Sequence, residues 1–310
     1  MRTLFIGGPG RSGTSFVAQS LGRHPQICAF PDIELKLFTE KNGLLDLCHS
    51  LVEEYSPNRA AVALAQFQRL TEALVQGQYG QPKLASLRPA GIWTDIFEEF
   101  RNLLAPTGHP CRLDEDAFLA AARVLLGRLV DVAADIKNGG TPPAIFLEKT
   151  PHALLSIQFL ERLSPGSIYL HVMRDPRAIA LSLQRMRWAP DQIEACCAWV
   201  ASYCDAWRRV QDTIVDSGLV LEQVRIEDIA RAPQEHTTRI CRALGIETHH
   251  HLLDQVQPAT LESWKKKSQP HERGLAQQLL SGWAWEFGYR EPLAKIGGLS
   301  EVTSSASPGQ

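Results

Sequence analysis

The chain begins with an apolar run that leads directly into a glycine-rich turn, and this pairing constrains the fold more than any other feature. Residues 3–6 read TLFI, the length of a buried strand, and residues 7–13 carry four glycines. From residue 13 to residue 23 apolar side chains recur at helical spacing. A strand, a glycine-rich turn and a helix in this order are typical of a loop that binds an anion through backbone amides at a helix N-terminus.

This loop departs from the triphosphate-binding motif G-x-x-x-x-G-K-[ST] at one position. Gly8 and Gly13 match the glycines of the motif and Ser15 its last residue, but Thr14 replaces the lysine that contacts the β- and γ-phosphates. The pattern therefore indicates a loop that holds a terminal phosphate or phosphosulfate without cleaving a triphosphate. A small-molecule kinase remains an alternative, with Asp175 as the contender for its magnesium ligand.

Strand-like and helical patterns alternate along the remaining chain. Short apolar runs at 144–149, 167–174 and 219–228 are each followed by a helical pattern, whereas residues 35–138 are mostly helical. Such alternation predicts a parallel sheet covered on both faces. We therefore predict an α/β, P-loop-like three-layer fold with a central parallel sheet, helices on both faces and a long helical insertion.

The same patterns predict how the chain is organised. We expect a single domain over residues 1–290, in which the helical insertion occupies about 40–140 on the substrate side. Residues 291–310, which end in SSASPGQ, are expected to form a flexible tail.

Composition excludes several classes of partner. With 32 basic and 34 acidic residues the net charge is −2, which gives no overall field for nucleic acid or an anionic membrane. The first apolar run is too short for a secretory or membrane-spanning segment, so we expect a cytoplasmic protein without membrane insertion. The seven cysteines form no C-x-x-C pair, and no spacing of ligand residues predicts a metal site.

A second candidate anion site follows the apolar run IYLHVM. Arg174 stands at its end, Asp175 is placed to cap a helix, and Pro176 suits the first helical position. Ser182 lies eight residues after Arg174, on the predicted helix that follows the strand. Arg174 and Ser182 are thus candidates to bracket a second phosphate.

Four segments together resemble the sulfotransferases that use 3′-phosphoadenosine 5′-phosphosulfate (PAPS), especially their bacterial and tyrosylprotein/Golgi-like branch. The segments occur in the order of that family and read GRSGTS at 10–15, FLEKTPHAL at 146–154, RDPR with Ser182 at 174–182, and VRIEDIARAPQEHTTRICRALGI at 224–246. The resemblance implies a sulfuryl transfer from PAPS that releases adenosine 3′,5′-bisphosphate and requires no metal.

The resemblance also assigns roles to individual residues. Arg174 and Ser182 would bind the 3′-phosphate of the donor, and Arg11 and Lys149 would be the catalytic cations. The 5′-phosphosulfate would be held by the first loop, whose candidate residues are Gly10, Arg11, Ser12, Gly13, Thr14 and Ser15.

The catalytic base is less well defined by the sequence. In this branch it is commonly a carboxylate near a segment like E-x-K-F, and ELKLF at 34–38 makes Glu34 the preferred candidate, with Asp32 as the alternative. A histidine base, as in the cytosolic branch, would have to be His109 or His152, and no spacing favours either.

The chain departs from the family pattern near its C-terminal half. Ile226 stands where the family has a tyrosine before E-D, and Arg225 is the candidate to replace its function. Ser263 or a lysine among 265–267 is a candidate to reach the donor, although a solvated basic run explains that segment equally well.

The acceptor stays open at this stage. We expect a small-molecule or carrier-bound acceptor with a hydroxyl or amine and a partly apolar body, in bacterial secondary metabolism, and the oligomeric state is left undetermined. A nucleotide-binding module without turnover is a further alternative to the enzyme.

Overall fold

A computed structural model of the chain describes residues 2–30, 34–77, 84–141, 143–215, 217–255, 261 and 263–290. These residues divide into two compact units. The first comprises the described residues up to Arg174 together with Tyr203–Leu261, and the second comprises Asp175–Ser202 together with the described residues from 263 onward. The single domain expected over residues 1–290 remains a prediction. The tail expected at 291–310 lies outside the described residues.

The first unit contains a five-stranded, all-parallel sheet with the order β2-β3-β1-β4-β5. Its strands are β1 (Arg2–Gly7), β2 (Ile27–Ala29), β3 (Ile145–Lys149), β4 (Ile168–Met173) and β5 (Val220–Arg225). The chain moves from β1 to one side of the sheet and later returns to the other side, so β3 and β4 flank β1. In sheets of this kind ligands bind beyond the carboxyl ends of the strands where the strand order reverses.

The helices follow in chain order. They are α1 (Thr14–Leu21), α2 (Leu44–Cys48), α3 (Pro57–Gln76), α4 (Ala90–Leu104), α5 (Glu115–Asn138), α6 (Ile157–Leu163), α7 (Pro176–Leu183), α8 (Ile193–Ile214), α9 (Ile226–Arg231), α10 (Pro233–Leu244), α11 (Ser263–Lys267) and α12 (Pro270–Glu286). A π-helical turn continues α2 over His49–Glu53, and short 3₁₀ turns lie at Leu84–Ser86 and Ala153–Ser156. The predicted α/β, P-loop-like fold is thereby confirmed, with α2 to α5 in the stretch where the sequence predicts the helical insertion.

Both faces of the sheet are buried, which explains why its strands read as continuous apolar runs. On one face Leu4, Ile6 and Val172 pack with Val17 and Leu21 of α1. On the other face the side chains are mainly aromatic: Phe5 stacks on Tyr169 at a centroid distance of 5.9 Å and meets the edge of Phe38 at 6.0 Å.

One strand and one boundary differ from the sequence-based prediction. Strand β2 was not predicted, because a three-residue strand is too short to show a period. The strand expected at 219–228 ends at Arg225, and Ile226 begins α9. The acidic residues Glu227 and Asp228 lie in the first turn of α9, where they interact favourably with the helix dipole.

The second unit contains α7, the start of α8, α11 and α12. Asp175 caps α7 by accepting a hydrogen bond from the Arg177 amide at 3.0 Å, as predicted, and Pro176 is the first helical residue. Two side-chain hydrogen bonds tie α7 and its end to α12, Arg177 Nη1 to Gln277 Oε1 at 2.7 Å and Gln184 Nε2 to Glu272 Oε1 at 3.0 Å.

None of the helices in the described ranges combines the length and the apolarity that a membrane span requires.

Candidate active site

The first half of the glycine-rich loop runs so close to its neighbours that only glycine fits. A Cβ atom on Gly8 would lie 2.1 Å from the carbonyl oxygen of Val172 in β4, and the residue has φ +153°. A Cβ atom on Gly7 would lie 2.6 Å from Cγ of Leu154. The Gly8 amide also donates to the carbonyl oxygen of Pro151 at 2.7 Å. The loop is therefore anchored to the segments that follow β3 and to β4.

The second half of the loop turns sharply into α1. Arg11 has φ 72° and Gly13 has φ 102°, and a left-handed conformation costs a residue such as Arg about 1–3 kcal/mol. Gly13 is the N-cap of α1 and has no side chain with which to bond the amides of the first turn. Gly13 lies against Ile226, because a Cβ atom added to Gly13 would lie 3.0 Å from Cγ1 of Ile226.

The loop fits a phosphate-like anion. The Ser12 hydroxyl is fully buried, and its Oγ has no hydrogen-bond partner within the described part of the chain. Thr14 is also buried, whereas Arg11 and Ser15 are exposed. An unsatisfied buried hydroxyl beside helix N-terminal amides is an arrangement that a phosphoryl or sulfuryl oxygen would complete.

A cation and a carboxylate meet at the N-terminus of α1. Lys149 Nζ, at the carboxyl end of β3, donates to Ser15 Oγ at 3.0 Å and forms an ion pair with Oε1 of Glu34. Both side chains are largely buried, with 10% of Lys149 and 18% of Glu34 exposed. Lys36 Nζ lies 3.8 Å from the other carboxylate oxygen of Glu34. The structure thus brings together three sequence-predicted residues, Ser15, Glu34 and Lys149.

The residues on either side of Lys149 form a second, buried contact. Thr150 Oγ1 donates to Glu148 Oε1 at 2.7 Å, and the Lys36 amide donates to Thr150 Oγ1 at 3.4 Å. Burial raises the pKa of Glu148 to about 7, although the Thr150 hydrogen bond and the nearby Lys149 oppose this shift. Two contacts therefore hold the segment that carries Glu34: the ion pair of the Glu34 side chain with Lys149 and the hydrogen bond of the Lys36 backbone amide to Thr150.

The residues of the second candidate anion site belong to different units. Arg174 follows β4 in the first unit, is partly buried, and donates from Nη2 to the carbonyl oxygen of Leu261 at 2.5 Å. Ser182 is a partly buried residue of α7 in the second unit. Asp175 binds the nearly fully buried Arg177 through both carboxylate oxygens, at 2.9 and 2.7 Å.

The sequence leaves three alternative bases, Asp32, His109 and His152. Asp32 lies outside the described residues, and His109 is exposed. His152 follows the Lys149 segment, and its ring centroid lies 5.4 Å from that of Tyr203. Burial lowers the pKa of His152, while the charges of Glu40 and Glu34 act in the opposite direction.

The remaining candidates are placed as follows. Ile226, where the family has a tyrosine, is buried, and Arg225 Nε donates to Asp228 Oδ2 at 2.5 Å. In the second unit Ser263 is the first residue of α11 and Lys267, its last, is exposed. The side chains of Lys265 and Lys266 lie outside the described part.

Sequence reasoning missed Glu148 and Thr150. One signal was present: a charged residue inside the otherwise apolar strand IFLEK requires a buried partner. Within the described ranges no three His, Cys, Asp or Glu side chains are grouped as metal ligands.

The profile of the Sulfotransferase family matches residues 3–250. No curated protein sequence matches.

Several solved structures are similar. The sulfotransferase domain from the curacin biosynthetic pathway has a TM-score of 0.54 and 16% identity, over 91% of this chain and 97% of that chain. The sulfotransferase domain of the Synechococcus PCC 7002 olefin synthase has a TM-score of 0.45 and 18% identity, over 91% and 94%. Sulfotransferase STF9 from Mycobacterium avium has a TM-score of 0.43 and 14% identity, over 94% and 78%. Because the curacin-pathway domain is only 16% identical to this chain, its similarity bears on the fold alone.

Proposed function

We propose that this chain, which belongs to the sulfotransferase family, transfers a sulfuryl group from PAPS to a hydroxyl or amine of a small-molecule or carrier-bound acceptor. The observation that carries the proposal is the contact of Lys149 Nζ with both Ser15 Oγ and Glu34. The loop lacks the lysine of a triphosphate site, whereas Lys149, at the end of the neighbouring strand β3, contacts Ser15 in the first turn of α1. A cation and a carboxylate thus lie beside the first turn of α1, where they would serve the leaving group and the acceptor.

The residues that would hold the donor are those of the glycine-rich loop and those of the second candidate anion site. The amides and hydroxyls of 10–15 would bind the 5′-phosphosulfate, and Arg174 and Ser182 would bind the 3′-phosphate. When bound, PAPS supplies an activated sulfuryl group, and its transfer leaves negative charge on the 5′-phosphate. No metal is invoked, since side-chain cations are available for that charge.

The chain's own residues divide the work between the two sides of the reaction. Lys149, with Arg11 from the loop, would neutralise the charge that develops on the leaving phosphate, an electrostatic role of the kind that commonly contributes most to catalysis. Glu34 would accept the proton of the acceptor hydroxyl or amine on a carboxylate oxygen. Because Lys149 bonds Glu34 in the structure, a donor anion that attracts Lys149 would leave Glu34 available to the acceptor.

A kinase is the main competing function. It would need Asp175 as a magnesium ligand, but both carboxylate oxygens of Asp175 are engaged by Arg177. The two functions differ in the nucleotide that they bind. We expect saturating adenosine 3′,5′-bisphosphate to raise the melting temperature by several degrees, as tight binding to the native state does, and ATP with magnesium to leave it nearly unchanged. The opposite preference would reject the sulfotransferase proposal.

Binding of the 3′-phosphate has its own test. Arg174→Ala and Ser182→Ala should each weaken adenosine 3′,5′-bisphosphate by roughly tenfold or more, the scale of a lost hydrogen bond to a charged group. They should leave the affinity for adenosine 5′-phosphate nearly unchanged, because that nucleotide has no 3′-phosphate. Titration calorimetry of both nucleotides measures the difference, and an equal loss for both would assign these residues to folding or to another phosphate.

Turnover separates the enzyme from a nucleotide-binding module. A screen of hydroxylated and amino metabolites with sulfur-labelled PAPS should identify a labelled product and with it the acceptor class. Nucleotide binding without a labelled product across the screen would favour the binding module.

A further inference from the structure

Three consecutive side chains, at the end of β3 and directly after it, point to two faces of the sheet. Lys149 reaches Ser15 and Glu34, whereas Glu148 and Thr150 are each only 2% exposed. Alternation along a strand explains this arrangement, since neighbouring side chains point to opposite faces. The cation of the candidate site is thus flanked in sequence by a buried carboxyl and a buried hydroxyl.

The hydrogen bonds of these two side chains have a defined direction. A hydroxyl has one proton to donate, and Thr150 donates it to Glu148 Oε1 at 2.7 Å. The lone pairs of Thr150 Oγ1 then remain as acceptors for the Lys36 amide at 3.4 Å. Lys36 has φ +51°, a left-handed conformation that a non-glycine residue adopts only when its surroundings hold it there.

We propose that Glu148 and Thr150 are positioning residues that hold the backbone at Lys36 and thereby fix Glu34 opposite Lys149. The inference rests on the proposed function, since it gives Glu34 a role in the reaction. Glu34 is connected to β3 at two points, by its own ion pair with Lys149 and by the amide two residues later. Two attachments limit the rotation of the segment more than either does alone.

The burial of Glu148 argues against a purely stabilising role. A carboxyl removed from water costs free energy unless it is fully bonded, and Glu148 Oε2 has no hydrogen-bond partner in the ranges that the structure describes. An apolar side chain of similar size would fill the same space at lower cost. The acceptor oxygen that Glu148 offers to Thr150 is what such a side chain would lack.

Paired variants test the proposal. Thr150→Val removes the hydroxyl at nearly constant volume and Thr150→Ser keeps it; Glu148→Leu removes the acceptor and Glu148→Gln keeps an oxygen. Thr3→Val is the matched control, because Thr3 is a buried threonine of β1 that bonds Ser164 at 3.1 Å. The readouts are hydrogen–deuterium exchange of peptides covering 34–40, melting temperature, affinity for adenosine 3′,5′-bisphosphate, and kcat with labelled PAPS and the acceptor found by screening.

We expect Thr150→Val and Glu148→Leu to accelerate exchange in the 34–40 peptides and to lower kcat by about tenfold, since small misplacements of a reacting group have effects of this size or larger. The nucleotide affinity should be unchanged, and Thr150→Ser and Glu148→Gln should restore most of kcat. Glu148→Leu should keep or raise the melting temperature, which a merely structural residue would lower.

Three results would overturn the proposal: normal exchange in Thr150→Val, an equal effect of Thr3→Val, or loss of folding in both Thr150→Val and Glu148→Leu. Failure of the wild-type protein to bind the bisphosphate would instead reject the proposed function. The exchange measurement would still report on the hydrogen bonds, so the two failures are distinguishable.

Discussion

At the scale of single residues, Lys149 brings a cation to a glycine-rich loop that has no lysine of its own. The side chain approaches Ser15 from β3, a strand that pairs directly with β1. A cation on a neighbouring strand can contact the loop and Glu34 together. A lysine at residue 14 would have to make both contacts from the buried first turn of α1. The chemistry proposed for this site depends on that shared contact.

The role of base that we propose for Glu34 leads to a prediction. Glu34→Gln should lower kcat by roughly two orders of magnitude, because the amide cannot accept a proton and a general base commonly contributes that much. The affinity for adenosine 3′,5′-bisphosphate should change little. Initial rates with labelled PAPS and calorimetric titration measure both quantities.

Glu40→Gln is the control, since it removes a carboxylate from the same segment, where Glu40 acts on the electrostatics of His152. Full activity in Glu34→Gln would shift the role of base to Asp32 or His152.

At the scale of elements, the glycine-rich loop is defined by its contact with the neighbouring strand. The Gly8 backbone approaches the carbonyl of Val172 in β4, and its amide donates a hydrogen bond to the Pro151 carbonyl after β3, so the loop contacts two neighbouring segments.

Gly8→Ala tests that contact. The added methyl would lie 2.1 Å from the Val172 oxygen, so we expect a loss of about 2 kcal/mol or more in the free energy of unfolding and markedly weaker binding of the bisphosphate. Gly166→Ala is a matched control, because Gly166 has φ +74° and nothing within 4 Å of an added Cβ. It should lose only about 1 kcal/mol, the cost of the left-handed backbone, and keep its affinity. Urea unfolding and calorimetry compare the two, and equal losses would contradict the steric explanation.

At the scale of the whole molecule, the buried Glu148 makes global stability depend on pH. Burial raises its pKa from 4.5 to about 7; the charges of Glu34 and Glu40 add to this shift, whereas Thr150 and Lys149 oppose it. Between these two values the native state binds more protons than the unfolded state, so this group lowers stability progressively as the pH rises from 4.5 to 7.

Glu148→Gln removes this dependence, because an amide does not titrate. The stability of the variant relative to wild type should therefore increase between about pH 5 and about pH 8, measured as the difference in the free energy of urea unfolding. Glu72→Gln serves as the control, since Glu72 is an exposed glutamate of α3. If the difference in the free energy of unfolding between Glu148→Gln and wild type stays constant with pH, the carboxyl is not removed from water in the native state, contrary to what the structure indicates.

The sequence by itself determined the features that depend on neighbouring residues. Glycine at the left-handed N-cap of α1, apolar runs of strand length and the Asp175-Pro176 cap act locally, so the start of the fold and the beginning of α7 could be predicted. The order of the four segments likewise predicted the sulfotransferase family, whose profile matches residues 3–250. The roles of Arg11, Arg174 and Ser182 remain predictions on the same basis.

Only the tertiary structure decided which distant side chains meet. Lys149 and Glu34 are 115 residues apart in the chain, and Lys149 and Ser15 are 134 apart. Their contacts depend on the parallel pairing of β3 with β1, and a sequence pattern predicts strands more readily than it predicts their order. The bond from Lys36 to Thr150 and the burial of Glu148 have the same origin: they arise from the packing of a whole sheet, in which a side chain's partners and its access to water are set by strands and loops far away in sequence.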